Sequence, residues 1–333
     1  MNTHQINQLI SNSKFDNALT VFDNYVFVNL DWLTNRDYQS QGTNELIFLA
    51  GQYVGCTFVF LIRDGVNCHL SGLSAVVETI IRNLNLTSST CYIYGYHDLN
   101  IPNSTFIKLD AIQMWCSLIY QELKEYQFTS SLLSKKFAAL FGRHDLYRLK
   151  ITKHLYQNYR NDCLLSYNSK IGTWNPRLES YFADDKEWYE EHCPITLDFQ
   201  GNEGWVPYQK SLEHIKKHID LYFIEIVCET DTHSNKFFTE KTLKNFYLQK
   251  PFILMAGHHS LLELKDRGFA TFAPWIDETY DTISCPNKRL QAILLEIDRI
   301  AKMPMDDINK MHQDLMPVFE HNKQNFLKIC LTC

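Results

Sequence analysis

The chain reads as short apolar runs that stop abruptly in polar loops, interleaved with segments whose apolar residues recur every three or four positions. YVFVNLDW at 25–32, CTFVFLIRDG at 56–65 and CYIYGY at 91–96 have the β-branched and aromatic content of strands. Leu73 to Ile81, between the last two, has a helical period. Strand, helix, strand in that order predicts a parallel α/β unit whose ligand-facing loops leave the carboxyl ends of the strands. Ala111 to Leu123 predicts a further helix.

The second half repeats the alternation. FAALF ends at the Gly142 turn and precedes a helix rich in Arg and Lys, and CLLSYN at 163–168 is the next short strand. Leu178 to Asp198 is acidic and punctuated by Pro176 and Pro194, the pattern of an irregular or short-helical surface excursion. YFIEIVCET at 222–230 is a strand whose carboxyl end carries Glu229 and Thr230. Thr239 then precedes a helix with Leu243, Phe246 and Tyr247 on one face; Pro251 ends it, and FILMA at 252–256 is a buried strand. A helix from Leu261 to Arg267 stops at Gly268, ATFAPWID at 270–277 predicts one more short strand, and Lys288 to Ile300 an amphipathic helix. A domain boundary is expected between Leu99 and Lys135, and from Ser134 the composition becomes basic. The expected organisation is two Rossmann-like domains, 1–130 and 131–305, with a tail at 306–333 that packs back on the first.

Composition narrows the class. The 333 residues contain 12 Gly and 9 Pro and no repeat of fixed period, which excludes a solenoid or a largely disordered chain. A formal charge of -6 argues against a broad nonspecific nucleic-acid coat but leaves room for one basic cleft. Between Ser131 and Arg160 stand seven Lys or Arg residues against one acid, Asp145, a local field suited to phosphate. Ten scattered cysteines read as reduced and partly buried; Cys330 and Cys333 alone have close CxxC spacing, without a second pair. MNTHQINQLI lacks a secretion pattern and no apolar run reaches eighteen residues, so the expected location is the cytoplasm, that of the host if the source is viral.

The candidate chemistry gathers at Phe237 to Asp281. At a helix start several backbone N–H groups lack internal partners and the dipole favours anions. Thr239 is the candidate N-cap there; Glu240 suits ribose hydroxyls and Lys241 suits phosphate oxygens. The alternative is an acidic first turn beside a solvated lysine. Arg143, in a Phe-Gly-Arg turn, is the leading second phosphate ligand, followed by Arg148 and Lys153. Trp275 and Tyr280 suit stacking on a base or sugar, or the core. Asp277, Glu278 and Asp281 suit a hard cation or sugar hydroxyls, and the expectation is that no metal is required.

Thr239-Glu240-Lys241-Thr242, Lys250-Pro251-Phe252-Ile253, Gly268-Phe269 and Trp275 through Asp281 together resemble the donor half of glycosyltransferases of the two-Rossmann GT-B type. The Thr-Glu-Lys segment is similar to the nucleotide-sugar signature of the α-1,3-fucosyltransferase superfamily, and the whole block resembles glycosyltransferase-like proteins of phages and bacteria. The resemblance covers about 130–300. It implies a GT-B-like fold with parallel sheets facing across a cleft and a UDP- or GDP-sugar donor with no further cofactor. It also implies Glu240 on the ribose, Lys241 and Arg143 on the diphosphate, and Glu229 or Asp277 on a sugar or base. The first half matches no such pattern. An inverting reaction needs a base near the acceptor hydroxyl, for which Asp64 at the end of FVFLIR is the candidate, with His69, His97 and Asp98 as competitors. A retaining reaction needs none. The acceptor is a hydroxyl, on a hydroxymethylated base of phage DNA or on a glycan; a nonenzymatic nucleotide- or glycan-binding protein is the alternative. Oligomeric state is left open.

Overall fold

Strands of a parallel sheet are covered on both faces, so near-continuous apolar runs such as TFVFLI and YFIEIVC are what that arrangement demands. The computed structural model describes residues 19–22, 25–29, 48, 51–53, 56–62, 70–87, 91–95, 101–108, 111–126, 134–142, 145–167, 183–197, 216–273 and 275–331. Contacts divide the chain into two units, Met1–Met114 and Trp115–Thr332. Each carries its own mainly parallel sheet within an α/β architecture.

In the first unit, β1 (Leu19–Phe22), β2 (Tyr25–Asn29), β3 (Thr57–Ile62), β4 (Cys91–Gly95) and β5 (Thr105–Lys108) lie in the order in which the chain makes them. β1 is antiparallel to β2; the later pairs are parallel. Val26, Val28, Phe58, Phe60, Cys91 and Ile93 are alternate residues on one face, and they pack with Val77, Ile80 and Ile81 of helix α1 (Leu70–Asn83). Val59 and Phe27 point the other way and are also buried. Helix α2 (Ala111–Leu123) follows β5.

The second unit orders its strands differently. β6 (Lys135–Phe141), β7 (Cys163–Tyr167), β8 (Tyr222–Cys228) and β9 (Phe252–Met255) are all parallel, in the spatial order β7-β6-β8-β9. Helix α3 (Leu146–Tyr159) joins β6 to β7, and α5 (Glu240–Tyr247) joins β8 to β9. Helices α4 (Lys186–His192), α6 (Ser260–Asp266), α7 (Pro286–Ala301) and α8 (Met305–Leu331) are the remaining α-helices among its described residues. The tail segment forms most of α8, which lies on this unit: Phe326 meets Tyr247 at 5.4 Å, and His312 meets Phe223 at 5.4 Å between ring centroids.

Two expectations change. Residues 270–273 and 275–277 form no strand, because side chains take the backbone groups a neighbouring strand would have used. Asn322 of α8 accepts from the Ala270 N–H at 2.7 Å and donates to its carbonyl at 2.9 Å, while Glu278 accepts from the Phe272 N–H at 2.7 Å. The acidic excursion is partly internal: Trp188 and Tyr189 are buried, and Asp185 is buried against α3 through Lys150 (3.0 Å) and Lys153 (2.7 Å). Ile195, after the cis Cys193–Pro194 bond, bridges to Tyr167 at the β7 edge.

Candidate functional site at the strand reversal

From β6 the chain crosses to one side of the sheet, and from β8 it crosses to the other. The loops leaving the carboxyl ends of these two adjacent strands therefore diverge, and such a reversal opens the crevice in which open α/β sheets bind ligands. Asp145, after β6, caps α3 by accepting from the N–H groups of Tyr147 (2.9 Å) and Arg148 (3.3 Å). Its carboxylate also lies 4.0 Å from the Cys228 sulfur at the end of β8, so the two loops are in contact where they leave the sheet.

The start of α5 is fixed by Glu229, the first residue beyond β8. Glu229 is fully buried; one carboxylate oxygen accepts from the Thr239 N–H (3.0 Å) and the Thr242 hydroxyl (2.6 Å), the other from the Thr239 hydroxyl (2.8 Å). Both oxygens are thus engaged within the protein, so Glu229 holds the helix start. Thr239 accepts from the Lys241 N–H and, at 2.8 Å, from Lys241 Nζ. That ammonium is 3.3 Å from Glu240 and 3.7 Å from Glu229, and its side chain stays partly exposed. Burial alone would raise the Glu240 carboxyl; Lys241, its own amide and Lys244 outweigh it and hold it below the usual carboxylate range. Beneath the helix, buried Lys244 donates to Glu225 at 2.5 Å and Tyr222 donates to the same carboxylate at 3.1 Å.

Two buried arginines flank the segment that leaves β8. Arg148, in the first turn of α3 and 3% exposed, donates through Nη2 to the Cys228 carbonyl at 3.0 Å. Arg289, in the first turn of α7 and 1% exposed, donates through Nη2 to the Thr232 carbonyl at 2.8 Å and through Nη1 to the Ile283 carbonyl. The Nε–H of each has no acceptor, and neither guanidinium forms an ion pair among the described residues. For Arg148 burial favours the neutral form, but Cys228, Asp145 and Glu229 oppose it and keep the group charged; burial lowers Arg289. The Asp281 charge opposes that burial at Arg289, and a buried guanidinium with no direct ion pair is costly unless charges around it, in the chain or from a bound anion, offset the lost hydration.

Next to β9, Gly257 lets the 229–239 loop lie against the strand exit: a Cβ there would stand 2.3 Å from the Ser234 backbone. His259 has φ 62 and donates its N–H to the Asp281 carbonyl at 2.7 Å, while the Asp281 carboxylate accepts from Leu261 N (3.0 Å) and Leu262 N (3.4 Å). Asp281 therefore closes the start of α6.

The sequence candidates separate accordingly. Arg148, Glu229, Thr239, Glu240 and Lys241 come together around the reversal. Lys153 is turned to Asp185, beside Lys150. Asp277 is exposed on a turn, its N–H donating to Glu296 (2.9 Å) and its carboxylate accepting from Thr279 N (3.0 Å), which holds the acid below its usual range. Tyr280 is buried, with its hydroxyl accepting from Leu254 N at 3.3 Å, so it belongs to the core. Asp64 and Arg143 lie outside the described residues, as do His69, His97 and Asp98. Among the described residues of the 131–160 cluster the cations go to separate partners: Lys135 and Lys136 donate to the carbonyls of Asn161 and of Ala301 and Met303, and Arg160 lies over the Tyr156 ring. Among the described residues no three His, Cys, Asp or Glu side chains gather to hold a metal, and no helix is long and apolar enough to cross a membrane.

Arg289 is the member that sequence reasoning passed over. Its signal is phase: it recurs with Ile293 and Ile297 at four-residue intervals on the buried face of α7, where an apolar residue is expected. Compared with family models, curated proteins and solved structures, the chain matches none.

Proposed function

We propose that the second unit binds a nucleoside-diphosphate sugar at the β6/β8 reversal and that the protein is a glycosyltransferase. The observation that carries this reading is Arg148, a buried cation that forms no ion pair among the described residues and keeps an Nε–H without an acceptor, set at the carboxyl end of β8 beside the threonine-capped start of α5. As a glycosidic bond to a diphosphate breaks, the leaving oxygen gains negative charge. Arg148, Lys241 and the first amides of α5 are the donors this reading aims at it, with Arg143 as a further cation. Glu240, kept ionised, accepts from the ribose hydroxyls. Glu229 positions Thr239, Lys241 and Thr242 rather than touching the donor, and Asp277 is assigned to sugar hydroxyls. Asp64 is the assigned base for an inverting transfer. The GT-B arrangement, with acceptor binding by the first unit, belongs to the same reading, and the acceptor is a hydroxyl on a hydroxymethylated DNA base or a glycan.

The test is to titrate UDP- and GDP-sugars and then to measure release of nucleoside diphosphate with hydroxymethylated DNA, with glycan acceptors and with neither. Lys241→Ala is expected to weaken donor binding about tenfold, as loss of one charge-assisted contact does. Unchanged donor affinity in Lys241→Ala and Arg143→Ala would remove the reading; binding without turnover on any acceptor would leave a nucleotide-binding protein.

A further inference from the structure

Four helices begin near the segment that leaves β8 or the exit of β9, and they differ in what meets their first N–H groups. Asp145 serves α3, Thr239 serves α5 and Asp281 serves α6, whereas α7 has no side-chain oxygen at its start among the described residues. Its N-cap is Cys285, an exposed thiol.

The guanidinium of Arg289 lies at that same end. Helical side chains lean toward the N-terminus, and this one reaches back past Cys285 to the Ile283 carbonyl and across to Thr232. A cation at the positive end of a 16-residue helix opposes the dipole. Here it is also buried, forms no ion pair among the described residues, with the Asp281 charge in electrostatic reach, and holds an Nε–H with no acceptor. Such a site favours an anion from outside the chain. The local field already acts on Cys285: the Lys288 and Asn287 amides, with the two cationic side chains behind them, hold the thiol below its usual range.

We infer that the start of α7, with Arg289 behind it and Cys285 at its mouth, is a second oxyanion station beside the one at Arg148 and α5, so that the ligand carries two linked phosphates. The two stations are linked through the segment that leaves β8. Arg148 holds the carbonyl of Cys228 and Arg289 that of Thr232, four residues on, and Tyr147 beside Arg148 is in electrostatic reach of both Arg289 and Cys285. This rests on the donor reading above for the use made of the ligand, not for the anion site itself.

The experiment is calorimetry of the full chain with inorganic pyrophosphate and with phosphate alone. Pyrophosphate is expected to bind at least about tenfold more tightly than phosphate, the gain of one further charge-assisted contact. Cys285→Asp places a fixed carboxylate at the mouth without touching the core and is expected to weaken pyrophosphate at least about tenfold relative to the uncharged Cys285→Asn. Pyrophosphate should also slow alkylation of Cys285 by iodoacetamide. Equal affinities for the Asp and Asn variants, or for phosphate and pyrophosphate, would overturn the second station. Loss of nucleotide-sugar binding in Lys241→Ala together with unchanged binding in Cys285→Asp overturns this inference and keeps the donor reading. Pyrophosphate behaving as expected while no UDP- or GDP-sugar binds does the reverse.

Discussion

The two sheets use similar strands to different ends. In the first unit the strands follow one another in chain order, and every buried residue of its core among the described positions is apolar. In the second unit the order reverses between β6 and β8, and the described buried charges, Arg148, Glu225, Glu229, Lys244, Lys250, Asp281 and Arg289 among them, all lie in it. An ordered parallel sheet can be stable on packing alone. A reversed one leaves loops apart at one end, and Arg148, Glu229, Asp281 and Arg289 lie where those loops must be held, while Lys250 sits at the opposite end.

The strongest way to break this contrast is to remove Glu229. Glu229→Ala would leave the Thr239 and Thr242 hydroxyls and a buried N–H without their acceptor, and a loss of about 3 kcal/mol is expected in urea unfolding. A loss under about 1 kcal/mol would mean that the carboxylate is not the anchor of α5.

A comparable effect is expected at the opposite end of the same sheet. Lys250, buried before β9 and bonded to the Tyr222 carbonyl at 2.7 Å, is lowered by burial from its ordinary 10.5 to about 8, against the opposing pull of Asp220 and Glu225. Its folded value lies below the unfolded one, so between pH 8 and 10.5 the unfolded chain binds more protons and stability rises with pH. Relative to Lys250→Met, the wild type should gain roughly 3 kcal/mol across that window and nothing below it, measured as the difference of two unfolding curves. A flat difference would show that Lys250 keeps its proton.

Gly257→Ala should cost about 1–3 kcal/mol, because its Cβ would meet the Ser234 backbone at 2.3 Å, while Gly142→Ala, with open space around it, should be near neutral. The smallest effect tests the apolar side of the contrast. Phe60→Leu should cost about 1 kcal/mol in the first unit and leave pyrophosphate affinity unchanged, since none of the described residues of that core is charged. A change in affinity would tie the first core to the anion site.

Much of the second unit was legible as local pattern. Thr239 caps α5 as its position before Glu240 predicts, and YFIEIVC and FILM are strands because their residues are apolar without interruption, as strands buried on both faces require. Strand order was not legible, since no local period encodes which neighbour a strand takes, and the reversal between β6 and β8 follows from it. The roles of charges were hidden for the same reason. Lys153 and Arg148 stand five residues apart in one basic run, yet one reaches a buried aspartate and the other the end of β8. ATFAPWID has strand composition but finds its hydrogen bonds in Asn322 and Glu278, which lie 52 and 6 residues away from their partners.

The hydroxyl of Tyr280 on the Leu254 amide has a consequence for association. β9 ends the second sheet, and an edge of that kind offers unpaired backbone groups to any extended chain. Tyr280 takes one of them, and at the far edge Ile195 takes both groups of Tyr167. At each margin of the sheet, backbone groups that an added strand would need are thereby already taken.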